Sequence, residues 1–193
     1  VLRSSLSFLL LPIYTRLLTV SDYAILGVMS PLFSLLSITL ALGMPAALLR
    51  FYFDYKDDEA MLRRYIGTVM VFGIGCGLLG SVILTLLGPA IFGWLLPNTP
   101  FNPYVLITVW NAGISVVSVL VLQLFRARQQ AQYFVTFSLV DFGLTTALII
   151  LLVVGLRLGA LGSLWGQLLA AIAMAVPALW VLMRAGALGS SWR

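Results

Sequence analysis

Apolar runs of about 20 or more residues recur along this chain and constrain its fold more than any other feature. A helix needs about 20 apolar residues to cross a hydrocarbon core about 30 Å thick. Only 9% of the 193 residues are charged, 62% are hydrophobic, and the mean hydropathy is +1.10. A soluble domain carries about 25% charged residues. We therefore predict an integral membrane protein.

Six such runs predict six transmembrane helices joined by loops too short to hold a separate domain. They cover approximately residues 1–18, 24–49, 66–96, 104–125, 133–156 and 158–183. Membrane strands are about 10 residues long and alternate in polarity, which these runs do not. The prediction is an all-α, six-helix bundle that forms one membrane lobe over residues 1–193. Because the first run is short and starts at Val1, we expect a fragment whose first residues are missing.

The polar segments between the runs contain helix-capping patterns. Thr19-Val-Ser-Asp22 has the form of a helix N-cap with an acid in the first turn. The charged connection 50–65 holds Asp57 and Asp58, either of which can cap a short helix. The third run is long enough to tilt, or to be broken at Gly88-Pro89 so that its last turns lie at the interface.

The distribution of basic residues predicts the orientation. Eight follow the second, fourth and sixth runs: Arg50, Lys56, Arg63, Arg64, Arg126, Arg128, Arg184 and Arg193. Only Arg16 and Arg157 follow the first, third and fifth runs. Cytoplasmic loops carry the excess of Lys and Arg, so the larger group and the N-terminus are expected in the cytoplasm. The basic residues of these loops account for the net charge of +5, so the charge does not indicate a nucleic-acid partner.

Two charged residues are candidates for a functional site. Asp141 is the only acid well inside an apolar run, where an ionisable group is costly and faces a cavity or a partner. It could be a proton or cation site, a hydrogen-bonded structural residue, or the partner of an arginine such as Arg3. Arg3 could bind an anionic substrate such as a lipid diphosphate, or lie near the cytoplasmic surface.

Uncharged polar and small residues within the runs are interpreted as packing elements. Asn111, Gln123 and Gln167 are isolated polar residues, of the kind that join helices by hydrogen bonds. Two pairs of glycines have the GxxxG spacing that lets helix backbones approach closely: 73/77 and 162/166. Packing inside one bundle is the favoured interpretation, and a dimerisation face is the alternative.

Residue patterns typical of enzymes are missing from the sequence. It contains no histidine and a single cysteine, Cys76, so neither a Ser/His/Asp set nor a CxxC motif can form. The acidic segment 54–59 does not have the spacing of an EF-hand loop. We therefore expect no metal, no cofactor and no catalytic residues.

The stretch 11–65 resembles the polysaccharide biosynthesis family, which includes the O-antigen and polysaccharide flippases. The likeness is carried by Leu11-Pro-Ile-Tyr-Thr-Arg-Leu-Leu18, Ser21-Asp-Tyr23, Leu42-Gly-Met-Pro-Ala-Ala-Leu-Leu-Arg-Phe-Tyr52, Lys56-Asp-Asp-Glu59 and Arg63-Arg64. Weaker echoes follow at Phe125-Arg-Ala-Arg128, Gln132-Tyr133 and Val153-Val-Gly155 with Gly159-Ala-Leu-Gly162. The order of these motifs, more than any one of them, carries the resemblance.

The resemblance implies the N-terminal lobe of a transporter with about 12 to 14 spans, in the multidrug/oligosaccharidyl-lipid/polysaccharide exporter superfamily. Such a flippase moves undecaprenyl-diphosphate-linked oligosaccharide across the bacterial cytoplasmic membrane. Expected partners are that lipid-linked oligosaccharide, membrane lipids, the missing C-terminal lobe and other polysaccharide-assembly membrane proteins. Arg3 and Asp141 are the positions that could contact substrate. A multidrug exporter of the same superfamily and a membrane-embedded enzyme of envelope synthesis remain alternatives.

Overall fold

The computed structural model describes residues 19–54, 58–95 and 100–187, and within these ranges the protein is all-α. Its helices are α1 (Val20–Ala41), α2 (Met44–Asp54), α3 (Glu59–Leu95), α4 (Leu106–Ala127), α5 (Ala131–Ile150) and α6 (Gly159–Ala187). A short turn at Phe101–Val105, in which Asn102 is not helical, precedes α4, and a single π-helical turn follows α5 at Leu151–Gly155. Five of these helices, all but α2, are long and apolar enough to cross a membrane. The predicted all-α membrane bundle is confirmed, and the predicted first span lies outside the described residues.

The span predicted over residues 24–49 is divided into two helices. α1 ends at Ala41, and both Leu42 and Gly43 adopt left-handed backbone angles, with φ of 46° and 70°. A left-handed residue directly after a helix ends it, and glycine occupies that conformation without steric cost. Pro45 then fits the first turn of α2, where its missing N–H leaves no helical bond unmade.

The connection predicted at 50–65 is mostly helical. α2 continues to Asp54, and α3 starts at Glu59 instead of at the first apolar residue of the run. Asp58 caps α3, because its Oδ1 accepts hydrogen bonds from the N–H groups of Ala60 and Met61, both at 3.0 Å. The predicted Asp58 cap is confirmed, but it caps a 37-residue helix and not a short one.

α3 runs without interruption through Pro89 to Leu95, so the predicted break at Gly88-Pro89 does not occur. At about 1.5 Å per residue, a helix of this length is about 55 Å long and exceeds the hydrocarbon core. α3 must therefore project beyond the core or cross it at a tilt.

α4 is the centre of the bundle. In its apolar stretch 67% of the residues are buried, compared with 22–33% for the other four membrane-crossing helices. Its fully buried side chains include Val109, Leu120 and Leu124. α1, α2, α3 and α6 all pack against it. The other helices therefore present most of their apolar surface outward, as expected for contact with lipid.

The predicted packing role of the glycines is confirmed. A Cβ atom built on Gly77 would lie 2.9 Å from the carbonyl oxygen of Gly113, so α3 and α4 touch through their backbones there. A Cβ on Gly166 would lie 2.9 Å from the backbone nitrogen of Ile149, which places α6 equally close to α5. Both contacts lie inside this helical bundle.

Candidate functional site

The two predicted site residues differ in what the structure says of them. Arg3 lies outside the described residues. Asp141 lies on α5, is half-buried, and takes part in an interaction within the protein. An intramembrane carboxylate with a partner agrees with the rule that such groups do not face lipid alone.

A polar stripe runs along the buried helix α4. We use this name for Thr108, Asn111, Ser115 and Gln123, which lead to Arg126 at the end of the helix. At 3.6 residues per turn, these positions fall within about 120° of the helix circumference. Thr108, Asn111 and Ser115 are at most 6% exposed, so the stripe is directed into the bundle.

Two members of the stripe, Thr108 and Asn111, join helices, while the Ser115 hydroxyl donates to the carbonyl of Ala112 within α4. Asn111 donates from Nδ2 to Oε1 of Gln167 on α6, at a long 3.5 Å. Thr108 donates from its hydroxyl to Sδ of Met29 on α1 at 3.4 Å and to the carbonyl of Tyr104 at 2.9 Å. The predicted role of Asn111 and Gln167 as interhelical hydrogen-bonding residues is confirmed.

Gln123 is the exception within the stripe. Its side-chain oxygen Oε1 is buried, and no hydrogen-bond donor from the described part of the chain reaches it. A buried carbonyl oxygen without a donor carries a desolvation cost of about 1–3 kcal/mol. A hydroxyl or amide N–H from a bound molecule would remove that cost, so Gln123 is the position in the stripe best suited to accept a hydrogen bond from a ligand.

The stripe ends among arginines that lie over aromatic rings. We call this end of the bundle the basic end, and it comprises α2, the start of α3, the end of α4 and the α4–α5 turn. The guanidinium of Arg126 lies 4.8 Å from the ring centroid of Phe134, and that of Arg50 lies 5.8 Å from the ring of Phe51. Arg126 and Arg50 are both exposed. A cation–π contact of this kind orients the arginine side chain at a membrane surface and leaves its positive charge available to an anion.

The aromatic residues also fix the helices at the basic end. The Tyr65 hydroxyl on α3 donates to the carbonyl of Ala47 on α2 at 2.8 Å, and its ring lies edge-on to Phe51 at 5.9 Å. Phe125 on α4 stacks with Tyr133 on α5, with centroids 6.0 Å apart. These contacts hold the helices that carry Arg50 and Arg126 in fixed positions.

The polar side chains of this region are hydrogen-bonding groups and cations. No group of three or more Asp, Glu or Cys side chains that could hold a metal occurs within residues 19–54, 58–95 and 100–187. The hydrogen-bonding groups of the stripe suit hydroxyl-rich molecules, and the guanidinium groups suit phosphates.

Sequence reasoning identified Asn111, Gln123 and Gln167 but missed the stripe as a unit. Thr108 and Ser115 were overlooked because hydroxyl side chains are common in membrane helices. The 3.6-residue spacing of the polar positions in α4 was the signal that could have found them. The structure brings Asn111 and Gln167 together, whereas Asp141 belongs to a different helix, α5.

Comparison with known proteins gave one finding. A family model described as polysaccharide biosynthesis protein matches residues 1–191. The match covers all but the last two residues of the chain and so includes every helix described above. Neither the curated proteins nor the solved structures gave a match.

Proposed function

Because the chain belongs to the polysaccharide biosynthesis protein family, we propose that it is one lobe of a flippase for undecaprenyl-diphosphate-linked oligosaccharide. The family match is the observation that carries this proposal. It is supported by five helices able to cross a membrane and by a buried polar stripe that ends at exposed arginines. The other half of the transport path belongs to a second lobe, which completes the central cavity.

The diphosphate and the sugar of the proposed substrate suit different parts of the candidate site, the basic end and the polar stripe. A diphosphate needs cationic donors, which Arg126 and Arg50 offer at the basic end. Arg3, which lies outside the described residues, is kept in this proposal as a further donor predicted from the sequence. Sugar hydroxyl groups need acceptors such as Oε1 of Gln123. In this proposal the chain acts as a transporter and performs no catalysis. Asp141 is proposed as the titratable group that couples transport to the movement of an ion.

In this proposal the basic end lies on the cytoplasmic side, because Arg50 and Arg126 are among the eight basic residues that follow the second, fourth and sixth predicted spans, whereas only two follow the other spans. Cysteine labelling tests this orientation in the Cys76→Ala background. Gln132→Cys, at the start of α5, should react with a membrane-impermeant maleimide only after cells are permeabilised. Leu156→Cys, at the opposite end, should react in intact cells. The reverse pattern would contradict the orientation.

Transport is tested by deleting the gene for the full-length protein in its own host. We expect surface glycan to be lost and the lipid-linked precursor to accumulate, and both effects to be reversed by the wild-type gene. Asp141→Asn and Arg3→Ala should each restore about five- to thirtyfold less surface glycan, the factor that one or two kcal/mol produces. Leu86→Ala, at a side chain that is 75% exposed on α3, is the control and should restore wild-type levels.

The same experiment separates the alternative function. A half-buried carboxylate on α5 would also suit an exporter of organic cations, for which intramembrane acids are the recognition groups. For such an exporter, deletion would leave surface glycan unchanged and reduce efflux of cationic dyes. Wild-type glycan from both Asp141→Asn and Arg3→Ala would remove these two residues from the proposed site.

A further inference from the structure

The Asp22 carboxylate contacts the N-termini of two helices that are far apart in sequence. Its Oδ2 accepts hydrogen bonds from the Thr19 N–H at 3.2 Å and from the Thr19 hydroxyl at 2.7 Å, which completes a capping box at the start of α1. Its Oδ1 accepts from the N–H of Ala160 at 3.1 Å. Ala160 is the second residue of α6 and is fully buried.

The backbone around Ala160 is shaped to bring this N–H to Asp22. Arg157 and Gly159 both have left-handed backbone angles, with φ of 50° and 58°, so the chain turns tightly into α6. A Cβ atom on Gly159 would lie 2.9 Å from Oδ1 and 3.0 Å from Oδ2 of Asp22. The position therefore requires glycine for two reasons, its backbone conformation and the closeness of the carboxylate.

Electrostatics favours this arrangement. The N-terminus of a helix carries about half a positive charge, and its first N–H groups have no partner within the helix. α1 and α6 begin at the same end of the bundle, so their positive ends are close together. A single carboxylate between them satisfies donors of both helices and offsets the repulsion, and its half-buried position strengthens the interaction.

We propose that Asp22 is a positioning residue that ties α1 to α6, so that this end of the lobe moves as one body during transport. α1 packs mainly against α4, α6 packs against both α4 and α5, and the Asp22–Ala160 bond joins α1 and α6 directly at their ends. Without it, each helix could shift along α4 independently. Transporters alternate access by rocking rigid bundles, so loss of this tie would uncouple part of the lobe from the movement. The consequence for transport rests on the function proposed above.

The tie is tested by measuring distances between spin labels in the full-length protein with Cys76→Ala. One pair, Val20→Cys and Trp165→Cys, reports the ends of α1 and α6 near Asp22. A second pair, Ile38→Cys and Val176→Cys, reports the same helices further from Asp22, by 18 residues on α1 and by 11 residues on α6. In Asp22→Ala we expect the separated population of the first pair to increase about tenfold. The second pair should keep its distance distribution.

Three further variants show whether the tie, and not a general loss of structure, is responsible. Asp22→Asn retains an oxygen that can accept from Ala160 and should restore most of the joined population. Thr19→Ala removes a capping partner of α1 but leaves the bond to Ala160, so it should separate the ends less than Asp22→Ala does. Gly159→Ala should separate the ends by steric conflict with the carboxylate. In Asp22→Ala, which lacks that carboxylate, the same substitution should add only the strain of the left-handed backbone at this position and so separate the ends by less than it does in the wild type.

Surface-glycan output of the same variants gives the functional readout. We expect it to fall in Asp22→Ala and Gly159→Ala and to return in Asp22→Asn. Unchanged label distances in Asp22→Ala, or equal changes in both pairs, would overturn the proposed tie. If the wild-type protein moves no lipid-linked glycan, the proposed function fails, while the label distances still decide whether Asp22 joins the two helices.

Discussion

Replacing Gly77 by alanine should markedly destabilise the protein, because this glycine is where α3 and α4 touch. The added methyl group would lie 2.9 Å from the Gly113 carbonyl oxygen and 3.3 Å from Cγ2 of Val116. Backbone cannot yield as a flexible side chain can, so the helices must separate. Overpacking of this kind costs about 1–3 kcal/mol, and α4 is the helix on which the others pack. The measurement is the thermal unfolding midpoint of detergent-purified protein, which should fall by several degrees.

Gly75→Ala is the matched control for this prediction. Gly75 lies on the same helix two residues earlier, and a Cβ atom there would meet nothing within 4 Å. Alanine in a helix is favoured over glycine by about 1 kcal/mol, so this variant should be as stable as the wild type or slightly more so. If the two substitutions lowered the midpoint equally, close contact at Gly77 would not be the cause.

Truncating Leu120 to alanine should cost about 2–5 kcal/mol, the range for removing a buried leucine side chain. Leu120 is fully buried at the centre of α4, and its Cδ1 lies 3.0 Å from where a Cβ on Gly73 would be. The Leu120 side chain therefore occupies the space on the surface of α3 that the missing side chain of Gly73 leaves open. In lipid, van der Waals packing is a main source of helix association, because the hydrophobic effect does not drive helices together there. The packing energy lost at the cavity would therefore not be recovered elsewhere.

The unfolding free energy in denaturant checks this second prediction. Leu79→Ala serves as its control, because the side chain of Leu79 on α3 is 64% exposed and its truncation should cost little stability. Equal losses for the two variants would mean that α4 is not the packing centre of the lobe. A Leu120→Ala protein that folds should also bind small apolar molecules in the new cavity.

The spans and their caps were predictable because both depend on local chemistry. Backbone N–H and C=O groups in lipid must bond within their own helix, so an apolar run of sufficient length specifies a helix wherever it occurs. The Thr19–Asp22 capping box and the Asp58 cap were likewise readable from adjacent residues. The end of α1 at Ala41 was not predicted, because its signal, Gly43, is outweighed by the apolar residues around it.

The candidate site was only partly predictable. Polar residues in apolar runs stand out in sequence, which is how Asn111, Gln123 and Gln167 were found. Their roles differ because of tertiary contacts: Asn111 reaches Gln167, while the Gln123 carbonyl oxygen meets no donor among the described residues. Residue type alone could not separate these two outcomes.

The sequence by itself determined that this chain is a helical membrane protein, the approximate positions of the five spans within the described residues, and the family to which it belongs. Tertiary structure alone decided that α4 is central, that Gly77 is a contact while Gly75 is not, and that Asp22 meets Ala160 across 138 positions. The physical reason is the solvent. Lipid is as apolar as a leucine side chain, so hydrophobicity marks a span without marking its packed face. That face is chosen by small residues, shape and a few hydrogen bonds between distant parts of the chain.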